Sequence, residues 1–229
     1  MNTSVVIVCA GNSTRMGGVN KILLPLGDRK VIGVTMQAFE KCESVAEIII
    51  VCREADMPAI KEEAEKAGIT KLKTCVTGGA TRQESVINGI RQISKETELI
   101  AVHDGARPLV TAEIINKTLE AAFETQAAAT GVRVKDTIKI VNTDNVIEAT
   151  PDRASLWAVH TPQVFNRNLY LAAVDNVINS ESFTDDCRLI EEYGHPVTMV
   201  EGSYDNIKIT TPEDIVIAEA IINRRENDA

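Results

Sequence analysis

The chain has three histidines, His103, His160 and His195, and no G-x-S-x-G elbow, so a Ser–His–Asp triad is poorly supported. Its five cysteines, Cys9, Cys42, Cys52, Cys75 and Cys187, show no C-x-x-C and no metal-ligand spacing, which removes a zinc cluster. Several of them lie in apolar runs, where a free cysteine is most often a small core residue. No stretch reaches the ~18 apolar residues of a membrane span. Met1-Asn2-Thr3-Ser4 lacks the basic region of a signal peptide, so a cytoplasmic protein with reduced thiols is expected. Positive charge is also scarce. With 24 Lys and Arg against 33 Asp and Glu, the net charge is −9, which argues against a nucleic-acid or anionic-membrane surface. An acidic protein that binds a phosphate ligand must gather its few bases locally, so the positions of those bases are informative.

At 229 residues, 44% hydrophobic and 25% charged, the chain is large enough for one good core and ordinary in composition. No linker, repeat or low-complexity tract divides it. Apolar runs at Val5–Cys9, Glu47–Cys52, Lys73–Val76, Leu99–His103 and Ala127–Val132 read as buried strands. Helical stretches separate them: Val31–Lys41, Met57–Ala67 ending at Gly68, one with Val86, Ile87, Ile90 and Ile93 on its apolar side, and one capped by Thr111 with Ile114, Ile115 and Leu119 inward. Alternation of this kind predicts βαβ units in a largely parallel α/β sheet covered on both faces. After Lys135 the rhythm breaks. Thr137–Val141 and Val146–Thr150 flank Asn142-Thr143-Asp144-Asn145, a hairpin that needs support from a partner subunit or from its own domain. Near the end, Thr211 reads as a helix cap with Pro212 in the first helical position.

Ligands of such sheets sit at the carboxyl ends of the strands, where three loops concentrate polar chemistry. The first, Ala10 to Lys21 (AGNSTRMGGVNK), follows a strand and carries Gly11, Gly17, Gly18, Arg15 and Lys21. Small residues admit a ligand close to backbone N–H groups, and two cations suit a polyphosphate. The loop is neither a dinucleotide fingerprint, since Gly11, Ser13 and Met16 hold those places, nor a P-loop, and it also reads as a glycine turn with two solvated bases. The other loops are 77–85 and 104–108. Asp104 closes a strand at this edge, where a carboxylate can hold Mg²⁺ against substrate oxygens or cap the next turn. Asp205 is a second possible oxygen ligand or a turn residue. His103 reads as a hydrogen-bonded strand-end histidine, and His160 and His195 as structural. Phosphoryl-type transfer needs positioning and neutralised charge rather than a protein nucleophile.

Taken together, AGNSTRMGGVNK, GGATRQESVINGI (78–90), VHDGARPL (102–109), DTIK (136–139), TPQVF (161–165), TDD (184–186) and NIKITTPEDI (206–215) resemble the 2-C-methyl-D-erythritol 4-phosphate cytidylyltransferases of the non-mevalonate isoprenoid pathway. The resemblance runs from residue 5 to about 222. It implies a Rossmann-like nucleotidyltransferase fold forming a single domain over 1–229, with a dimerising β-arm at about 134–156, CTP and Mg²⁺ as partners, and a homodimer. Carried onto this chain, Arg15 and Lys21 grip the triphosphate while Ala10, Gly11 and the backbone at Ser13 cradle it. Gly79, Arg82 and Ser85 surround the cytosine, and Asp104 places Mg²⁺ with Arg107 nearby. Thr137 and Arg153 from the other subunit, with Thr161, Thr184 and Lys208, hold the methylerythritol phosphate.

The chain departs from that pattern where Ser13 replaces a glycine, Ile22 a glutamine and His160 a glutamine. None of these removes a required charge. Ribitol-5-phosphate cytidylyltransferases share most of these motifs, although Gly105-Ala106 and Pro212-Glu213-Asp214 look more like the methylerythritol enzymes. An inert nucleotide-binding module on the same fold is the alternative from another class.

Overall fold

The computed structural model describes residues 1–11, 20–177 and 183–228. The first apolar run forms β1 (Thr3–Val8), in which Val5, Val6 and Ile7 are fully buried. Beyond the loop that follows, β2 (Pro25–Leu26) and β3 (Arg29–Lys30) make a small antiparallel turn leading into α1 (Val31–Glu40). The alternation then runs β4 (Val45–Cys52), α2 (Met57–Lys66), β5 (Leu72–Thr77), α3 (Arg82–Ile90), β6 (Leu99–Asp104), α4 (Ala112–Thr125) and β7 (Ala127–Arg133). Thr111 caps α4 by accepting from the Ile114 N–H at 3.3 Å, as its sequence position predicts.

Strands in the middle of the sheet alternate between two faces that are both apolar. Val5 and Ile7 of β1, with Leu99 and Ala101 of β6, join the core under α1, α2 and α4. Val6, Ile100 and Val102 join the core on the opposite face with Val86 of α3. Burial on both sides is why these segments read as continuous hydrophobic runs rather than as alternating ones.

The second half of the chain completes the sheet in a way that periodicity does not predict. After a hairpin of β8 (Ile140–Val141) and β9 (Ile147–Ala149) come β10 (Trp157–Asn166), α5 (Arg167–Asn176), α6 (Asp186–Glu192), β11 (Thr198–Glu201) and α7 (Pro212–Asn227). The main sheet has the order β11-β7-β10-β6-β1-β4-β5. β10 inserts between β6 and β7 and runs antiparallel to both, while the other pairings are parallel. The expected mostly parallel α/β sheet is therefore present with one reversed strand. Because β10 is reversed, its amino-terminal half reaches the same edge as the carboxyl ends of β1, β5 and β6.

The β10–β7 ladder slips between Val159 and Gln163, and the Thr161–Pro162 peptide within that slip is cis. A proline has no ladder donor and is tolerated inside a sheet at such bulges. The hairpin is held by its own turn: Asn142 Oδ1 accepts from the N–H groups of Asp144 and Val146 at 3.0 Å each. Asn145 takes φ +62°, a left-handed conformation that Asn tolerates. Its apolar side chains do not pack on their own domain, since Val146 and Ile147 are each 58% exposed.

Candidate active site

Two adjoining cavities open at the carboxyl edge of the sheet, one of about 340 Å³ and one of about 180 Å³. The larger lies between the ends of β1, β5 and β6, with Ala10, Gly11, Lys21, Gly79 and Ser85 in its wall. The smaller is walled by Arg107, His160, Thr161, Gln163 and Thr184 among others. Arg82, Asp104 and Lys208 line both.

The larger cavity is shaped by close backbone approach. A Cβ on Gly78 would lie 2.3 Å from the Ala10 Cβ, so only glycine lets the loop after β5 lie against the loop after β1. The Gly79 N–H donates to Ser85 Oγ at 3.0 Å, and that hydroxyl donates to the Thr81 carbonyl at 2.9 Å. Thr81 and Glu84 form a reciprocal capping box at the start of α3, which fixes Arg82 in its first turn. Lys21 opens a short 3-10 turn capped by Asn20. The Asn20 amide donates to Asp56 Oδ2 at 2.7 Å, and Arg53 Nε donates to the same oxygen at 2.6 Å, so the return end of the first loop is tied to the start of α2. Arg15 and Ser13 lie outside the described residues.

Asp104 is the electrostatic centre. Its Oδ2 lies 2.9 Å from Lys208 Nζ and 3.4 Å from Arg107 Nε. Burial alone would raise this carboxyl, but Lys208, then Arg107 and Arg82, outweigh it and hold its pKa at about 2. Lys208 reaches this point from about a hundred residues away because its segment is stitched to the loop after β6. The Ile209 N–H donates to the Ala106 carbonyl at 2.8 Å, and Arg107 Nη1 to the Asn206 carbonyl at 2.7 Å. The Asn206 amide donates to the Thr161 carbonyl at 3.0 Å, while Thr161 Oγ1 accepts from the Asp104 N–H at 3.1 Å. One hydrogen-bonded unit thus joins β6, the β10 bulge and the segment before α7.

Sequence reasoning placed Arg82 on a base and missed what holds it. Arg82 Nη1 lies 2.7 Å from Oδ2 of Asp186, a fully buried carboxylate on α6, whose Oδ1 accepts from the Tyr170 hydroxyl at 2.6 Å. Burial disfavours the guanidinium charge, but Asp186 and Asp104 outweigh it and raise the Arg82 pKa above the usual arginine value. The Asp186 N–H in turn donates to Gln163 Oε1 at 3.0 Å. The TDD segment carried that signal, read only as far as Thr184. His160, read as structural, lines the smaller cavity.

Three expected site residues fall elsewhere. Asp205, the second expected oxygen ligand, lines neither cavity, and its Oδ2 pairs with Arg224 and Arg225 of α7, at 2.5 and 3.4 Å. Thr137 and Arg153 are exposed on the arm and line neither cavity of their own chain; Arg153 donates to the Lys135 carbonyl at 2.8 Å. No group of three His, Cys, Asp or Glu side chains able to cage a metal occurs among the described residues. A single ionised carboxylate at the junction of the cavities nonetheless fits Mg²⁺, which binds through one or two carboxylates together with substrate phosphates and water.

Residues 3–224 match the model of the family described as IspD, 2-C-methyl-D-erythritol 4-phosphate cytidylyltransferase. The chain belongs to this family. The 2-C-methyl-D-erythritol 4-phosphate cytidylyltransferase of Caldanaerobacter subterraneus subsp. tengcongensis is 47% identical over 228 residues, covering 98% of this chain and all of that one. The fold is similar to the crystal structure of the 4-diphosphocytidyl-2C-methyl-D-erythritol synthase of Anaerococcus prevotii, with a TM-score of 0.86, 34% identity and 96% of each chain covered. The Thermus thermophilus 2-C-methyl-D-erythritol 4-phosphate cytidylyltransferase matches with a TM-score of 0.75 and 30% identity, covering 96% of this chain and 98% of that one. As a member of this cytidylyltransferase family, the chain carries Lys21, Asp104, Arg107 and Lys208 around one pair of cavities.

Proposed function

We propose that the chain transfers the cytidylyl group of CTP to 2-C-methyl-D-erythritol 4-phosphate, giving 4-diphosphocytidyl-2-C-methyl-D-erythritol and pyrophosphate. The observation that carries this reading is the pair of cavities that meet at Arg82, Asp104 and Lys208, in a chain of the cytidylyltransferase family. The larger cavity takes CTP and the smaller the polyol phosphate. The reacting phosphates then lie where the shared cations stand.

An oxygen of the acceptor phosphate attacks the α-phosphorus of CTP in line. The new O–P bond forms as the bond from the α-phosphorus to the bridging oxygen breaks, and pyrophosphate leaves with that electron pair. Lys21, with Arg15, neutralises the triphosphate, while Lys208, Arg107 and Arg82 neutralise the acceptor phosphate and the charge gathering on the phosphoryl oxygens. Asp104 holds Lys208 and Arg107 in place. Asp104 would hold Mg²⁺ against the triphosphate, and the ion would supply further charge neutralisation there.

The chain acts as a homodimer, a reading supported by the bare apolar arm, with Thr137 and Arg153 covering the partner's acceptor cavity. It works in the cytoplasm, in keeping with the fact that no helix of the described residues is long and apolar enough to cross a membrane. Pyrophosphate release from CTP and Mg²⁺ with methylerythritol phosphate, and not with ribitol 5-phosphate, is the expected result. Release with ribitol 5-phosphate alone, or CTP binding with release on neither acceptor, overturns it.

A further inference from the structure

We propose that Tyr204 is a positioning residue for the arm: it holds Lys135 at the arm's root and so aims Arg153 at the partner's acceptor cavity; this rests on the dimer reading made above. β11 ends before it can pair with the root. Its last residue, Glu201, stands opposite Gly131, and the Gly202 N–H donates to the Gly131 carbonyl at 2.8 Å. Carbonyls two residues apart along a strand face the same side, so the Arg133 carbonyl continues that edge beyond the end of β11. The Tyr204 hydroxyl donates to it at 2.7 Å, in the place a ladder N–H would otherwise take. The same side chain makes a second contact, with Lys135 Nζ 3.4 Å from the centre of its ring.

Lys135 passes this constraint to Arg153. Its carbonyl accepts from Arg153 Nη1 at 2.8 Å, which fixes one edge of the guanidinium. Across the root, the Val134 N–H donates to the Leu156 carbonyl at 3.1 Å, and the Arg133 guanidinium lies over the Trp157 ring at 4.4 Å. The outgoing and returning strands are thus tied to each other, and Tyr204 ties them to the segment that carries Lys208 to Asp104. A guanidinium that must meet a phosphate with paired donors tolerates little displacement, so the angle of the root matters to the site it serves. The Tyr204 side chain is 45% exposed, and its replacement spares the core.

The test uses heterodimers of two differently tagged chains, one silenced by Lys21→Ala and one with a working site. Pyrophosphate release is followed with CTP and the polyol phosphate that the wild type accepts, each varied separately. The working site receives its arm from the silenced chain. Tyr204→Leu in the silenced chain is expected to raise the acceptor KM about five- to tenfold, the scale of one lost hydrogen bond, with the CTP KM changed less than about twofold. The same substitution in the working chain is expected to leave both KM values within about twofold, whereas a general weakening of the segment before Lys208 would act there. Tyr204→Phe, which keeps the ring on Lys135 and loses the hydroxyl, is expected to fall between wild type and Tyr204→Leu. An unchanged acceptor KM with Tyr204→Leu in the silenced chain, an effect that follows the working chain, or parallel rises in the two KM values overturns the proposal. A wild type that sediments as a monomer overturns the dimer reading, and the proposal with it, before any variant is made.

Discussion

Replacing Asp186 by Asn would test whether a carboxylate remote from the reacting atoms sets the geometry of both cavities. The exchange keeps the shape of the side chain, and Oδ1 still accepts from the Tyr170 hydroxyl, now 2.6 Å away. The second oxygen becomes an NH₂ that meets Arg82 Nη1 across a 2.7 Å gap, so donor faces donor and the guanidinium loses its counter-charge. Removing one partner of a buried ion pair costs about 3–5 kcal/mol. Asp186 is fully buried, but Arg82 is 26% exposed and also feels Asp104, so the lower end applies, about 3 kcal/mol. For a chain of this size that is a fall in Tm of about 6–12 °C, measured by circular dichroism with CTP absent. Because Arg82 walls both cavities, the KM values for CTP and for the acceptor are expected to rise together. Exchanging the pair for Arg82→Met and Asp186→Leu is expected to recover part of the stability and none of the activity. A drop in Tm below about 2 °C, or normal kinetics in Asp186→Asn, would refute the idea that this carboxylate holds Arg82 in place.

Other outcomes follow from the same geometry. Lys21→Ala is expected to lower kcat by roughly 10²–10³, the usual scale for one such electrostatic contact, and turnover within a few-fold of wild type removes Lys21 from that role. Arg153→Ala is expected to raise the KM for the polyol phosphate more than that for CTP; the reverse result argues against an arm that covers the acceptor. Ile147→Asp, at a residue 58% exposed in the single chain, is expected to convert a dimer to monomers on sedimentation, and a wild type that sediments as a monomer overturns the arm's role. His103, fully buried with a ring nitrogen 3.1 Å from the Arg107 carbonyl, has its pKa pushed down from 6.5 to about 4 by burial. Between those values the unfolded chain binds the extra proton, so stability is complete above 6.5 and falls as pH drops toward 4. His103→Gln is expected to reduce the slope of unfolding free energy against pH by up to about 1.4 kcal/mol per unit in that window, and an unchanged slope contradicts a neutral buried imidazole.

Much of the chemistry was legible in the sequence because it is written locally. The strand before Ala10, the cap at Thr111, Pro212 opening the last helix and Asp104 at the end of a buried run each depend on neighbours a few residues apart. Periodicity and capping report such neighbours directly. The segment Trp157–Asn166 was not legible as a strand, because Pro162 marks it as non-strand and only the bulge opposite β7 makes the proline acceptable. Nor does local spacing show that Arg224 and Arg225 of α7 pair with Asp205.

By itself the sequence determined the layered α/β plan, the glycine-lined loops at the strand ends and the cations available to a phosphate ligand, since these follow from short-range spacing and residue size. Tertiary structure alone decided that β10 enters reversed between β6 and β7, bringing His160 and Thr161 to the ligand edge. It alone set Lys208 against Asp104 and Asp186 beneath Arg82. Those pairings join residues separated by about a hundred positions, where contact depends on the order of strands in the sheet and local pattern carries no record of it.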